Sequence, residues 1–144
     1  MKYLIAALLS LMTIGAINTA RAGELAVMID GVKKASGMLL VAVMSEAAWD
    51  GKDKPLAVRK VAAQEAIDGK GQITVKFADL AEGSYAVAVI HDVNGNHKLD
   101  TGLMGIPTES YGNSNNPKVW RKPYFSEVKV DVGAAPVPIV IHLH

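Results

Sequence analysis

Apolar residues recur at every second position through much of this chain, and that spacing constrains the fold more than any other feature. In "LAVMI", Leu25, Val27 and Ile29 share one face; in "ITVKF", Ile73, Val75 and Phe77 do, with Thr74 and Lys76 opposite. "FSEVKVDV" sets Val128, Val130 and Val132 against Glu127, Lys129 and Asp131. Successive side chains of an extended chain point to opposite sides, so a period of two over short runs predicts strands with one face buried. "MLLVAVM" (Met38 to Met44) and "YAVAVI" (Tyr85 to Ile90) are apolar on both faces and read as central strands. "PVPIVIHLH" reads as a strand that begins at a sheet edge, because Pro136 and Pro138 have no N–H to give to a ladder.

One segment is ambivalent. "KPLAVRKVAAQEAIDGKG" carries helix-favouring alanine, glutamine and glutamate, yet Val58, Val61 and the flanking Pro55 and Gly69 admit a short strand, the reading preferred here. Asp50-Gly51, Asp68-Gly69, Glu82-Gly83 and Asn94-Gly95 punctuate the runs as turns. About seven short strands with this spacing predict an all-β, single-domain antiparallel β-sandwich of immunoglobulin-like or transthyretin-like type. In "LAEGSYAVAV", Tyr85 sits where a tyrosine corner returns its hydroxyl to the preceding turn, a structural role. The interval from about 94 to 124 lacks a convincing strand and is read as a long irregular loop, a type that is commonly functional.

The N-terminus sets the compartment. "MKYLIAALLSLMTIGAINTARAGE" has one early lysine, an apolar run too short for a membrane span, and Ala20-Arg21-Ala22 at its end. It reads as a secretory signal peptide over residues 1–22, cut before Gly23 to release a domain of residues 23–144. The chain has 15 basic and 14 acidic residues; removing Lys2 and Arg21 leaves 13 against 14, a net charge of −1. A near-neutral chain without a basic block has no footprint for nucleic acid. It shows no polybasic stretch for a membrane either, and no stable membrane insertion is expected after cleavage. Cysteine is absent, which excludes disulfides, thiolate metal sites and cysteine nucleophiles.

"LAEGSYAVAVIHDVNGNHKLDTGLMGIPTESYGNSNN", followed by "PYF", resembles the core of the DUF2141 family, small exported bacterial β-sandwich proteins of unestablished function. The similarity extends over essentially the whole domain and is densest from Leu80 to Phe125. It implies export, an all-β fold and a structured loop of the form "HDxNxNxKLD", matched at His91, Asp92, Asn94, Asn96, Lys98, Leu99 and Asp100. Where the family often has glycine after the second asparagine, this chain has His97. The resemblance supplies no catalytic residues and no cofactor-binding residues.

That loop is the leading candidate site. In an EF-hand-like loop, oxygens come from the first, third and fifth positions, from a backbone carbonyl at the seventh and often through water at the ninth. Counting from Asp92 gives Asp92, Asn94 and Asn96, then the Lys98 carbonyl and Asp100. The sixth position, normally glycine, is His97, and the twelfth, normally a bidentate acid, is Leu103; Glu109 is the nearest acid able to fold back in its place. An all-oxygen set points to Ca²⁺, bound weakly, on the order of 10⁻⁴ to 10⁻³ M. The competing reading is that Asp92, Asn94 and Asn96 cap their own backbone as Asx turns.

Two further sites are weighed. His142 and His144 share a strand face, and with His91 and His97 they would suit Zn²⁺ or Cu²⁺, although the terminal position of His144 argues against it. "TESYGNSNNPKVWRKPYF" gathers Tyr111, Asn115, Trp120 and Arg121, aromatic and polar groups of the kind that form ligand surfaces, or that fold back to plug a sandwich end. No motif for a serine nucleophile, a zinc protease or a phosphate loop is present. The expectation is therefore an exported, periplasmic or secreted, non-enzymatic binding or structural module for a glycan, a peptide or an envelope protein. Its Asp92 to Asp100 loop would be ordered by Ca²⁺ or by Asx turns. The alternative is a small metal-dependent enzyme acting on envelope polymers at the same loop.

Overall fold

The computed structural model describes residues 22–144, so the signal-peptide reading of residues 1–22 lies, but for Ala22, outside the described residues. The strands are β1 (Gly23–Asp30), β2 (Met38–Met44), β3 (Ala57–Ala62), β4 (Ile73–Leu80), β5 (Gly83–Asp92), β6 (Tyr111–Asn113), β7 (Val130–Val132) and β8 (Val137–His142). Three short helices join them: α1 (Glu46–Trp49), α2 (Ala63–Asp68) and α3 (Phe125–Val128). One sheet has the order β4-β1-β8; the other runs β3-β2-β5-β6, with β7 also on β5. The chain is an all-β sandwich. Every strand pair is antiparallel except β1 with β8, which run parallel with Leu25 opposite Val137 and Ile29 opposite Ile141.

The period-two faces meet in the middle. Leu25, Val27 and Ile29 of β1, Val75 and Phe77 of β4, and Ile141 of β8 pack against Leu39, Val41 and Val43 of β2 and Tyr85, Val87 and Val89 of β5. Burying each such side chain is worth about 1.5–3 kcal/mol, so these rows carry the fold. The outer face of β2 and β5 is apolar because it too is covered: Trp49 of α1, Ala86 and Val128 form a second cluster, joined by Met44, Ala88 and Phe125. Trp49 Nε1 donates to the Pro123 carbonyl at 2.9 Å, fastening α1 to the segment before α3. The tyrosine corner is formed, with Tyr85 Oη donating to the Ala81 carbonyl at 2.8 Å.

Three local expectations are corrected. The ambivalent segment is both strand and helix: β3 carries Val58 and Val61, and the chain turns into α2 where Ala63 and Ala66 are buried. "FSEVKVDV" is not one strand, since Phe125–Val128 is a helical turn and only Val130–Val132 is extended. The Glu127 carboxylate accepts the Tyr124 N–H at 2.7 Å and so caps that turn, while Val128 remains buried, as it would in a strand. The interval 94–124 is not uniformly irregular either; β6 crosses it and pairs Tyr111 with Ile90 and Asn113 with Ala88.

The edge of β8 is closed by a side chain. Asn116 Nδ2 donates to the Val140 carbonyl and its Oδ1 accepts the His142 N–H, both at 2.8 Å, so one amide stands in for a neighbouring strand. An edge so capped is a poor template for a second chain.

Candidate functional site

Strand β5 delivers His91 and Asp92 to the end of the sandwich where β1 and β8 finish and β2 begins. The His91 ring lies inside, its Nε2 2.8 Å from the Ser36 carbonyl in the β1–β2 connection. Asp92 is wholly buried at 0% exposure, a costly place for a carboxylate without partners. Its partners are backbone: Oδ1 accepts from Gly95 N at 2.9 Å and Asn96 N at 3.2 Å, and Oδ2 from His97 N at 2.9 Å. His97 takes the left-handed conformation at φ +61, and Gly95 does so at φ +78, which curls the chain around the carboxylate. The sixth loop position thus has the geometry that glycine usually supplies, at a cost that histidine bears.

The next side chains repeat the device. Asn94 Oδ1 accepts Asn96 N at 3.2 Å, and Asn96 Oδ1 accepts Lys98 N at 3.0 Å, two successive Asx turns. With each amide oxygen so occupied, each amide nitrogen turns to Asp100: Asn94 Nδ2 lies 2.5 Å from Oδ2 and Asn96 Nδ2 2.6 Å from Oδ1. The Lys98 side chain is exposed. Glu109 folds back across the loop onto backbone N–H groups. Its Oε1 accepts Val93 N at 2.9 Å and its Oε2 accepts Asp100 N at 3.2 Å, tying the two ends of the loop together.

The donor set fits Ca²⁺ in kind, being all oxygen, but not in present disposition. Asp92 and Glu109 spend their oxygens on N–H groups, and the asparagines face Asp100 with nitrogen. Among the described residues, no three His, Asp or Glu side chains are grouped to hold a metal ion. The histidines are likewise not brought together. His142 Nδ1 pairs with Asp30 Oδ1 at 2.6 Å, His144 lies edge-on to Tyr111 at 6.4 Å, His97 is exposed and His91 is buried against Ser36.

The proposed ligand surface divides. Tyr111 and Arg121 line one small pocket with Gly112, Asn113, Pro117 and His144. Asn115 instead braces the fold, its Nδ2 donating to the Lys129 carbonyl at 2.9 Å. Trp120 is fully exposed, whereas Trp49, from outside the segment, is buried on the outer face of β2 and β5.

Arg121 stacks over Tyr124 at 4.0 Å and grips Glu127 with both nitrogens, at 2.7 and 3.0 Å. The Arg121 hydrogen bond, followed by the Tyr124 backbone N–H, holds the Glu127 carboxyl below its ordinary 4.5, while the same hydrogen bond raises the Arg121 guanidinium. A depressed carboxylate contributes stability that is present above the ordinary value and lost as pH falls through the folded one. The protection factor of the Tyr124 amide, its exchange rate set against the intrinsic rate at each pH, is therefore expected to fall as pH drops below 4.5, and the Glu127→Gln variant to lose that pH dependence; hydrogen exchange followed by NMR reads both.

Sequence reasoning missed two features. Ser114 is completely buried, its Oγ accepting Val87 N at 2.9 Å and donating to the Val128 carbonyl at 2.5 Å, which locks the segment after β6 onto β5. The other is the loop tip: Leu103, Met104 and Ile106 are 91%, 96% and 64% exposed. The signal for it was the charge-free run "TGLMGIPT", aliphatic but without strand alternation.

A family model described as "Uncharacterized protein conserved in bacteria (DUF2141)" matches residues 27–139. No curated protein and no solved structure matches the chain.

Proposed function

From the chain's membership of the DUF2141 family of uncharacterised bacterial proteins, we propose an exported, non-enzymatic binding module that presents the Asp92 to Glu109 loop as a preformed surface. The observation that carries this is the commitment of the carboxylates. Asp92 holds three backbone N–H groups and Glu109 holds two, so both carboxylates serve as internal caps that fix the course of the loop. Carboxylates used as internal caps make a loop stiff, and a stiff loop loses little entropy when it binds.

Calcium is the second reading, supported by His97 at φ +61, which gives the chain the path of an ion-binding loop. Rotating the Asn94 and Asn96 amides would turn two oxygens toward Asp100. A site of about 1 mM at about 10 mM ion adds about 1.4 kcal/mol. That is a melting shift of several degrees for a domain of this size. If the loop is ordered by its own turns, the metal-stripped protein melts at the same temperature with and without millimolar Ca²⁺. A rise of several degrees that disappears in Asp100→Ala would replace self-capping with the ion.

A further inference from the structure

We propose that Asn94 is a self-modification site: once the loop opens, the Gly95 nitrogen closes on the Asn94 side-chain carbonyl, ammonia leaves, and the preformed surface is lost for good. This rests on the reading of the loop as a preformed binding surface, and it names what regulates that surface.

Asn94-Gly95 is the one Asn-Gly pair in the chain. An asparagine amide that precedes glycine is labile, because no Cβ stands over the backbone nitrogen that attacks it. Both residues are exposed, and a Cβ built on Gly95 would meet nothing within 4 Å. Burial therefore does not protect the pair; hydrogen bonds do. The Gly95 N–H is held by Asp92 Oδ1 at 2.9 Å, which fixes the plane of the peptide between Asn94 and Gly95 and directs its proton to a carboxylate that is itself wholly buried. The Asn94 amide is held at both ends, Oδ1 by Asn96 N at 3.2 Å and Nδ2 by Asp100 Oδ2 at 2.5 Å. Nucleophile and electrophile are each fastened to a different partner. Ring closure needs the peptide plane and the side chain to turn toward each other, and so needs the loop to open.

In the open loop the Gly95 nitrogen bonds to Asn94 Cγ, the bond from Cγ to Nδ2 breaks, and the Gly95 proton leaves with the amide nitrogen as ammonia. Water then opens the five-membered imide. Cleavage of its bond to Cγ leaves aspartate; cleavage of its bond to the backbone carbonyl leaves isoaspartate, with the side-chain methylene inserted in the main chain. No oxidant or reductant is needed. Neither product restores the loop. Aspartate sets a carboxylate against Asp100 where an N–H donor stood, and like charges at that separation repel. The methylene of isoaspartate lengthens the path from Asp92 to the three N–H groups of Gly95, Asn96 and His97, so they no longer meet its carboxylate in register. Opening of the loop is thereby recorded in the covalent chain, and a loop that stays closed is spared.

The test is peptide mapping by mass spectrometry of the exported protein held at mildly alkaline pH, folded and unfolded in urea, with aspartate and isoaspartate scored at each asparagine. In the unfolded chain, Asn94 is expected to convert ahead of Asn96, Asn113 and Asn115, whose next residues are not glycine. In the folded protein, conversion of Asn94 is expected to slow about 100-fold, because opening gives up hydrogen bonds to two carboxylates. Asp100→Ala leaves the buried Asp92 in place and frees the Asn94 amide nitrogen, so this variant is expected to convert about tenfold faster than the folded wild type. Its melting temperature reports that it is folded in the assay. No conversion of Asn94 in the unfolded chain, a folded rate equal to or above the unfolded one, or no gain in Asp100→Ala overturns the proposal. Hydrogen exchange at the Gly95, Asn96 and His97 amides scores the underlying reading separately. Unprotected amides sink the preformed surface itself, whereas protected amides with unslowed conversion sink only the gated modification. In the converted protein those amides are expected to lose protection, and their retaining it overturns the loss of the surface.

Discussion

Asp92→Ala is expected to destabilise the protein by about 3–5 kcal/mol, since truncation strips three inward-facing backbone N–H groups of a charge-assisted acceptor. Asp92 is fully buried, so the three N–H groups point at a carboxylate that water does not reach. Against a total stability of about 5–15 kcal/mol, the loss is large enough to see directly in urea. Asp92→Asn separates charge from shape. Its oxygen can keep Gly95 and Asn96, but its nitrogen then faces the His97 N–H, donor against donor, and about half of the loss should remain. Equal urea midpoints for the wild type and Asp92→Ala would mean that the loop's turns do not depend on this carboxylate, and the preformed surface would have no basis.

The sandwich was legible because period two is a local signal. Val27, Ile29, Val75 and Phe77 face inward whatever strand lies beside them, so their role could be read without knowing the pairing. Pairing itself is nonlocal, and nothing near Leu25 or Val137 announces that β1 and β8 run parallel. "FSEVKVDV" misled because Val128 is buried by a helical turn as well as by a strand; the Glu127 cap decides between them, and it acts through Tyr124 N, outside the run. In the loop, Asp92, Asn94, Asn96, Asp100 and Glu109 were all identifiable as one constellation. What spacing could not disclose was the direction of each bond, because oxygens set for an ion and oxygens set for N–H groups obey the same interval. The exposed tip, by contrast, left its mark in the charge-free run "TGLMGIPT", which is apolar but lacks the alternation of a strand.

Gly37→Ala carries the second large expected effect and tests how the loop is rooted. Gly37 lies in the β1–β2 connection at φ +80, and a Cβ there would fall 2.2 Å from the Asp92 carbonyl oxygen and 2.6 Å from the Val93 alpha carbon. Both are backbone atoms, so no side chain can swing aside. The left-handed conformation costs alanine about 1–2 kcal/mol, and forcing backbone apart adds about 1–3 kcal/mol more. Gly95→Ala supplies the control, because Gly95 has φ +78 but nothing within 4 Å of its added Cβ. It should therefore lose only the conformational part, about 1–2 kcal/mol. The difference between the two urea midpoints isolates the contact between the β1–β2 connection and the start of the loop. A large difference means that Asp92 is held from outside as well as by its own turns, so the loop is rigid at its root. Equal losses would mean that the root yields freely, and that the loop is held by its own turns alone.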